Sequence, residues 1–382
     1  MTNALKLLVV NFDYDQDMPH AQAQLEKHAS TDQWIKALDE QGLEIECCKR
    51  FHSNLELAHQ GIPYFFRNDG FEAKLPFWYP AIPFIRFILS RKPDIVHVHG
   101  THFPLQTLFL KLLAPKQTKI VVQHHGGLEE QGIKSWIKKK MLGFADAFFF
   151  TSLQQGESWF KYSFRKKQIF SVMEGSTQFQ PMAKQKAIAA LGLTGSPKLV
   201  WIGRLYDNKD PLTVLEGFEL FCNNYPQARL YMIYHTTDLL AAVKTKISES
   251  PFLERAVCLV GSCSSQEVEQ YLNAADYFVL GSHYEGSGYA LCEAIACGCV
   301  PVVTNIPSFQ MMTNGGSFGG LWEPGNPQAF YRTLLQVVAK NQQIESEKAL
   351  AFFASSLSFS AIASISKAHY QRLLNSNTLV AV

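Results

Sequence analysis

The amino-acid sequence predicts an α/β protein with two doubly wound, parallel-sheet domains. The chain has 382 residues, too many for one ordinary hydrophobic core and enough for two domains. Short, nearly continuous apolar runs alternate with helical patterns, which is typical of parallel strands covered on both faces. Prolines and glycines interrupt this alternation at residues 178–198. We therefore expect domains at residues 1–190 and 191–360.

Five strands are predicted in each half of the chain. In the first half they lie at residues 7–11, 95–98, 120–123, 147–151 and 169–172. In the second half they lie at residues 199–202, 229–234, 257–260, 277–280 and 300–303, with helices near 211–224, 266–274 and 288–296. Because open α/β sheets bind ligands outside the carboxyl ends of their strands, functional residues are expected there.

Composition excludes several protein classes. The chain is 47% apolar and 18% charged with a net charge of +2, which argues against disorder and against nucleic-acid binding. No apolar run reaches the roughly 18 residues that a membrane span needs, and residues 1–12 lack a signal-peptide pattern. The eight cysteines show no Cys-x-x-Cys spacing, so we expect neither disulfides nor a metal site and predict a cytoplasmic location.

Basic residues accompany aromatic ones in three stretches of the first half. Four lysines, at positions 134, 138, 139 and 140, surround Trp136, and Arg165-Lys166-Lys167 follow the aromatic run at 159–164. Residues 64–92 also interleave aromatic side chains with cations. Such a composition suits peripheral contact with an anionic membrane surface. A buried helix with solvated cations explains residues 64–92 equally well.

The most informative segment contains two glutamates, Glu285 and Glu293, with Gly286 and Gly288 between them. Glu285 follows a predicted strand, and Glu293 lies in the first turns of the next helix. The N-terminus of that helix offers backbone N–H groups to an anion, and the glycines let a phosphate approach closely. The pattern predicts an anion site flanked by two carboxylates that accept hydrogen bonds from hydroxyl groups. A nucleoside diphosphate sugar requires such a site.

Two cations and a histidine follow other predicted strands. Arg204 and Lys209 come after the strand at 199–202, where they can stabilise the charge that a departing diphosphate gains. Solvated surface cations are the alternative interpretation. The strand at 120–123 ends in His124-His125-Gly126, where His125 is the candidate for the reacting centre and His124 the reserve. A histidine at a strand end is more often structural.

The run from Gly261 to Thr304 resembles the signature of the family 4 retaining glycosyltransferases. It contains a loop glutamate, a second glutamate eight residues later, and then Ala-Ile-Ala-Cys-Gly-Cys-Val-Pro-Val-Val. The resemblance implies the GT-B fold, with two facing Rossmann-like doubly wound domains and an interdomain cleft. The first domain would hold the acceptor and the second the nucleotide sugar, while a final helix at residues 361–382 would pack back on the first domain.

The resemblance also implies roles for individual residues. Glu285 would accept hydroxyls of the donor sugar, Glu293 would hold the ribose, and His125 would lie near the reacting centre. The diphosphate would be held by Arg204, Lys209 and the amides of Ser287, Gly288, Tyr289, Ala290 and Leu291. No cofactor and no metal are expected, because GT-B enzymes generally need no metal for catalysis. The acidic triplet Asp13, Asp15 and Asp17 is accordingly interpreted as a solvated loop.

These patterns predict a retaining glycosyltransferase that moves a sugar from a nucleoside diphosphate sugar to a hydroxyl acceptor. The acceptor would be a glycan, a polysaccharide or a lipid-linked sugar in cell-envelope synthesis, with no nucleic-acid partner. Two alternatives remain open. One is a nucleotide-sugar epimerase of similar architecture, and the other is a noncatalytic sugar-binding protein.

Overall fold

The structure is a computed structural model that describes residues 4–18, 20–27, 29–127, 132–160 and 168–375. Its contacts divide the chain into two compact units. The first unit comprises the chain up to Gly175 together with the segment from Phe359 onward, and the second comprises Ser176–Ser358. The boundaries expected from the sequence lie after residues 190 and 360.

The first unit is built on a sheet of eight strands. These are β1 Lys6–Asn11, β2 Glu44–Arg50, β3 Leu55–His59, β4 Ile62–Arg67, β5 Ile95–His99, β6 Lys119–Gln123, β7 Ala147–Phe150 and β8 Gln168–Ser171. The helices between them are α1 Ala21–Lys27, α2 Ala29–Glu40, α3 Ile82–Ser90, α4 Pro104–Leu113, α5 Ile133–Leu142 and α6 Leu153–Phe160. The sheet order is β3-β4-β2-β1-β5-β6-β7-β8, and every pair is parallel except β3 with β4.

Two of the charged residues that strand β2 carries into the interior, Glu46 and Arg50, have oppositely charged partners. Glu46 accepts hydrogen bonds from Arg91 at 2.7 Å and from Lys6 Nζ at 3.0 Å. Burial raises the pKa of the Glu46 carboxyl, but these hydrogen bonds outweigh burial and lower the pKa overall. Arg50 forms a bidentate ion pair with Asp69, at 2.7 and 3.0 Å, and both side chains are almost inaccessible. These pairings satisfy charges that would otherwise destabilise the sheet.

The second unit is built on a sheet of six parallel strands. These are β9 Lys198–Ile202, β10 Arg229–Ile233, β11 Val257–Gly261, β12 Tyr277–Leu280, β13 Val300–Thr304 and β14 Gly320–Trp322. Its helices are α7 Lys184–Leu191, α8 Pro211–Cys222, α9 Leu240–Ser248, α10 Pro251–Ala256, α11 Ser265–Ala274, α12 Tyr289–Ala296, α13 Pro307–Met312, α14 Pro327–Val338 and α15 Gln342–Phe352. The sheet order is β11-β10-β9-β12-β13-β14.

The last helix, α16 Phe359–Asn375, packs on α2 within the first unit. Its buried face includes Ile362, Ser366 and Tyr370, spaced by one helical turn each. The Tyr370 hydroxyl lies 2.7 Å from His97 Nδ1 on β5. Among the described residues, no single helix is long and apolar enough to cross a membrane. The consecutive segments Gln342–Leu357 and Phe359–Asn375 meet that criterion only together, with a 41° bend between them.

The prediction of two doubly wound α/β sheets is confirmed, with three corrections. Strands β2, β3, β4 and β14 were not predicted. The first sheet is mixed rather than purely parallel, because β3 runs antiparallel to β4. Residues 64–92 do not form one buried helix, since they contain part of β4, a loop and α3. The basic cluster at 165–167 lies outside the described residues.

Candidate active site

The candidate site lies at the carboxyl ends of β9 and β12, two neighbouring strands in the middle of the second sheet. From β9 the chain proceeds to β10 on one side, and from β12 it proceeds to β13 on the other. The strand order therefore reverses between β9 and β12, which is where open α/β sheets leave a crevice for ligands. Residues 203–210 follow β9 and residues 281–288 follow β12, and these two loops contain five of the ten predicted site residues.

Asn208 ties the two loops together. Its carbonyl oxygen accepts a hydrogen bond from the His283 amide at 2.9 Å. Its side chain donates to the Tyr284 carbonyl at 2.9 Å and accepts from the Tyr284 amide at 3.1 Å. A side chain at Gly281 would lie only 2.9 Å from the Asp210 carbonyl oxygen, so the close approach of the loops requires glycine there. The loops therefore form one preorganised surface.

Lys209 and Glu285 meet on this surface. Lys209 Nζ forms an ion pair with Glu285 Oε1, and the two side chains are 20% and 12% exposed. The buried Ser282 hydroxyl donates to the same carboxylate oxygen at 2.7 Å. A charge-assisted contact at low exposure is stronger than one in open solvent, so the Glu285 carboxylate is held in a fixed position.

Helix α12 begins beside Glu285. Gly288 is its N-cap and has a φ of 73°, a left-handed conformation that favours glycine. A Cβ atom there would lie 2.7 Å from Phe309 Cε1. The Leu291 amide donates to the Gly288 carbonyl at 3.0 Å, so in this structure it closes the first helical turn. The predicted amides from Ser287 to Ala290 lie at the positive end of the helix dipole.

Glu293 lies one turn further along α12 in a different environment. Among the described residues, none donates a hydrogen bond to its carboxyl group or pairs with it. Burial raises the pKa of Glu293 to about 7. A carboxyl group that is costly to ionise and has no internal donor is suited to hydroxyl groups supplied by a ligand.

Arg204 completes the predicted set in the second unit. Its side chain is exposed, and its guanidinium carbon lies 5.9 Å from the centre of the Tyr206 ring. It forms no ion pair with any residue that the structure describes. Arg204 therefore occupies the strand end predicted for it and is not joined to Glu285 as Lys209 is.

His125 lies in the first unit, at the carboxyl end of β6. Both of its ring nitrogens have protein partners. Nε2 is 2.8 Å from His99 Nδ1, and Nδ1 is 2.9 Å from Glu174 Oε2. The reserve candidate, His124, is buried, which lowers its pKa to about 4. Its Nδ1 accepts a hydrogen bond from the Gly126 amide at 3.2 Å.

Sequence reasoning missed Ser282, Asn208 and Glu174. Ser282 precedes Glu285 by three residues, and Asn208 precedes Lys209, so their positions in the loops were the only available signal. Glu174 follows the last strand of the first unit, and only the sheet order places it near His125. The described residues contain no group of three or more His, Cys, Asp or Glu side chains arranged to hold a metal ion.

Comparisons with known proteins identify related sequences for both units. The family described as Glycosyl transferases group 1 matches residues 183–351, and the family described as Glycosyltransferase Family 4 matches residues 29–172. The chain is similar to a GDP-mannose:cellobiosyl-diphosphopolyprenol alpha-mannosyltransferase of Xanthomonas oryzae, with 26% identity over 270 residues, 69% of this chain and 68% of that protein. A protein of the same description from Xanthomonas campestris is 29% identical over 249 residues, 62% of this chain and 63% of its own.

The overall fold also matches solved structures. HepE of Anabaena, whose structure is a complex with UDP and glucose, superposes with a TM-score of 0.68 at 15% sequence identity. The superposition covers 96% of this chain and 100% of HepE. At this identity the likeness concerns the fold alone, which is the GT-B fold.

Proposed function

We propose a retaining sugar transfer for this chain, which belongs to the family 4, group 1 glycosyltransferases. The donor would be a nucleoside diphosphate sugar and the acceptor a hydroxyl group of a lipid-linked glycan. The observation that carries the proposal is the contact between Lys209 and Glu285 at the point where the strand order of the second sheet reverses. A cation for a phosphate and a carboxylate for a sugar hydroxyl are thereby placed side by side.

The diphosphate would bind beside the N-terminus of α12. Lys209 and Arg204 supply positive charge at the carboxyl end of β9, and the helix dipole adds a partial positive charge. As the bond to the sugar breaks, the diphosphate gains negative charge, so these groups stabilise the transition state more than the bound donor. We assign the backbone amides from Ser287 to Leu291 to the same diphosphate. The Leu291 amide would have to break its hydrogen bond to the Gly288 carbonyl in order to donate to it.

Glu285 would accept hydroxyls of the donor sugar. Ser282 and Lys209 fix its carboxylate, which keeps the sugar in one orientation while an oxocarbenium-like state develops. We propose that the acceptor oxygen attacks the face from which the diphosphate departs, and that its proton passes to the leaving phosphate. This route retains configuration at the sugar and needs no covalent enzyme intermediate.

Glu293 would hold the ribose of the donor. Its pKa of about 7 means that ionisation is costly while the carboxyl group has no donor. Two ribose hydroxyls would supply hydrogen bonds to the ionised form and offset that cost. His125 would act from the first unit near the reacting centre. We infer that no metal or other cofactor takes part.

The two Xanthomonas relatives are described by an acceptor that carries a polyprenyl diphosphate, and we propose the same acceptor class here. This role belongs to cell-envelope polysaccharide synthesis at the cytoplasmic side of a membrane. A surface of α5 favours peripheral contact, because Ile133 and Trp136 are 70% and 51% exposed beside Lys134 and Lys138. Exposed aromatic and aliphatic groups next to lysines suit an anionic bilayer.

A donor and acceptor screen with Glu285→Gln tests the reaction. We expect kcat to fall by about 100-fold to 1,000-fold, because the lost carboxylate acts on the transition state, while nucleotide affinity changes little. Glu323→Gln is the matched control, since Glu323 is exposed just after β14 at the same edge of the sheet. Unchanged transfer by Glu285→Gln would overturn the assignment of this residue.

Two further measurements separate the alternative functions. Incubation of the donor without an acceptor would produce a rearranged sugar only if the protein were an epimerase. A sugar-binding protein without catalytic activity would bind the nucleotide sugar and give no transfer with any acceptor. We expect transfer that requires the acceptor and yields a product with the donor's anomeric configuration.

Cosedimentation with vesicles tests the α5 surface. We expect the protein to bind vesicles of mixed neutral and anionic phospholipid, and Trp136→Ser to weaken that binding by about tenfold, because an interfacial aromatic contact is lost. Phe252→Ser is the control, since Phe252 is an exposed ring beside Arg255 in the second unit. Equal losses from the two variants would contradict the assignment of the surface.

A further inference from the structure

A row of three hydrogen-bonded side chains lies at the carboxyl edge of the first sheet. His99 ends β5, His125 follows β6 and Glu174 follows β8. His99 Nδ1 is 2.8 Å from His125 Nε2, and His125 Nδ1 is 2.9 Å from Glu174 Oε2. The planes of the two rings are nearly parallel, with an angle of 20° and centres 4.9 Å apart. We call this set the His99–His125–Glu174 row.

We propose that Glu174 is a positioning residue for His125. Its carboxylate keeps a proton on Nδ1 of His125. Nε2 is then the ring atom whose hydrogen bond to His99 can be replaced by one to a substrate hydroxyl. This inference rests on the proposed place of His125 near the reacting centre. Beyond that proposed function, the inference states which tautomer His125 adopts and which residue sets it.

The hydrogen-bond chemistry of the row leads to this tautomer. A carboxylate oxygen only accepts hydrogen bonds, so Nδ1 of His125 carries the hydrogen that joins it to Glu174. Nε2 then either accepts from His99 or, in the doubly protonated ring, donates to it. In both states a half-turn of the ring would break two hydrogen bonds. The Glu174 side chain is 6% exposed, so its charge acts in a poorly solvated environment.

Burial disfavours the charged forms of three titratable groups around the row, His97, His124 and Tyr370. Burial lowers the pKa of His97 on β5 to about 3, with a further contribution from His125, and lowers that of His124 to about 4. Burial raises the pKa of the Tyr370 hydroxyl on α16 well above its usual range. His102, which precedes α4, adds a small repulsion at His124.

A fixed tautomer serves a reaction in which a sugar hydroxyl must be oriented. With the hydrogen on Nδ1, the neutral ring presents a bare Nε2 that accepts a hydrogen bond from a hydroxyl. With the hydrogen on Nε2, the same atom would only donate, and the substrate contact would have the opposite polarity. An interaction that sets this polarity acts on catalysis without touching the substrate.

Nitrogen NMR of histidine-labelled full-length protein tests the proposal directly, because the shifts of Nδ1 and Nε2 report which atom is protonated. His125 signals are assigned by their loss in His125→Asn. We expect Nδ1 of His125 to be protonated at pH 7.5, and Glu174→Gln to remove that preference. Glu157→Gln, an exposed glutamate on α6, is the control and should leave the spectrum unchanged. A wild-type spectrum with a bare Nδ1 would overturn the proposal, even if Glu174→Gln did not fold.

Kinetics supply a second test once transfer is measurable. We expect Glu174→Gln to lower kcat about tenfold to 100-fold, and to move the acidic limb of the kcat/KM profile to lower pH, because the doubly protonated ring loses its counter-ion. A normal rate and an unshifted profile would refute the positioning role. Failure to detect transfer with any donor would contradict the proposed function and leave the NMR result as an independent test of the tautomer.

Discussion

Replacement of Glu293 by glutamine should make the protein more stable above neutral pH while weakening its hold on the nucleotide. Burial raises the pKa of Glu293 from 4.5 to about 7. A shift of this size corresponds to about 3 kcal/mol, by which ionisation of the carboxyl group destabilises the folded state. The sign follows from the raised pKa. Well below pH 4.5 the group is neutral in both states and costs nothing. The cost develops as the pH rises from about 4.5 to about 7, where only the unfolded state is ionised, and it is complete above pH 7.

Glutamine has nearly the same shape and does not titrate, so its effect should depend on pH. We expect the difference in unfolding free energy between Glu293→Gln and wild type to rise by about 2 kcal/mol between pH 5 and pH 8. Urea unfolding at each pH, with peptide-resolved hydrogen exchange of β12 and α12, measures the difference. Glu249→Gln, an exposed glutamate in the same unit, is the control. A difference that stays constant with pH would refute the reasoning.

Ligand binding to the same variant reports the functional cost. Ribose hydroxyls that donate to Glu293 favour its ionised form, so nucleotide binding near pH 7 should release up to about half a proton. Calorimetry in two buffers of different ionisation heat measures this release. Glu293→Gln should bind the nucleotide more weakly and should not show the proton release that comes from Glu293. If the variant releases as many protons as wild type on binding, the ribose does not bind at Glu293.

Two further predictions concern the scaffold. Gly288→Ala should lower the unfolding free energy by about 2–3 kcal/mol, because the φ is unfavourable for alanine and the new Cβ would lie 2.7 Å from a ring carbon of Phe309. Gly315 has a similar φ and open space around it, so Gly315→Ala should lower the unfolding free energy by only about 1 kcal/mol. Equal losses in urea unfolding would contradict the steric argument. Asp69→Asn should cost about 3–5 kcal/mol because it leaves the buried Arg50 without its counter-charge, whereas Glu56→Gln breaks an exposed pair and should cost under about 1 kcal/mol. A small thermal shift for Asp69→Asn would show that the interior accommodates the cation alone.

The sequence predicted strands well where burial alone determines them. The runs that became β9, β12 and β13 are nearly continuous in apolar residues, so their period and length were sufficient. Strand β2 was missed because Glu46 and Arg50 interrupt its apolar pattern. Their burial depends on partners distant in sequence, Arg91 and Asp69, and no local pattern contains that information.

The candidate site shows the same division between local and distant information. The spacing of Glu285 and Glu293 placed one on a loop and the other on α12, because a strand, a glycine turn and a helix follow one another directly. The ion pair of Glu285 with Lys209 joins residues 76 positions apart and depends on β9 and β12 being neighbours. The contact of His125 with Glu174 depends in the same way on the order of β6 and β8 in the first sheet.

The surroundings of the two glutamates separate their roles more firmly than their spacing does. Glu285 is paired with Lys209 and accepts a hydrogen bond from Ser282, so its carboxylate is fixed before any ligand arrives. Glu293 has no such donor among the described residues, and burial brings its pKa to about 7. A preformed carboxylate suits the reacting sugar, where orientation governs the rate. A carboxyl group that gains its donors only from the ligand suits the nucleotide. Each ribose hydroxyl that donates to it offsets part of the free energy needed to ionise the buried group.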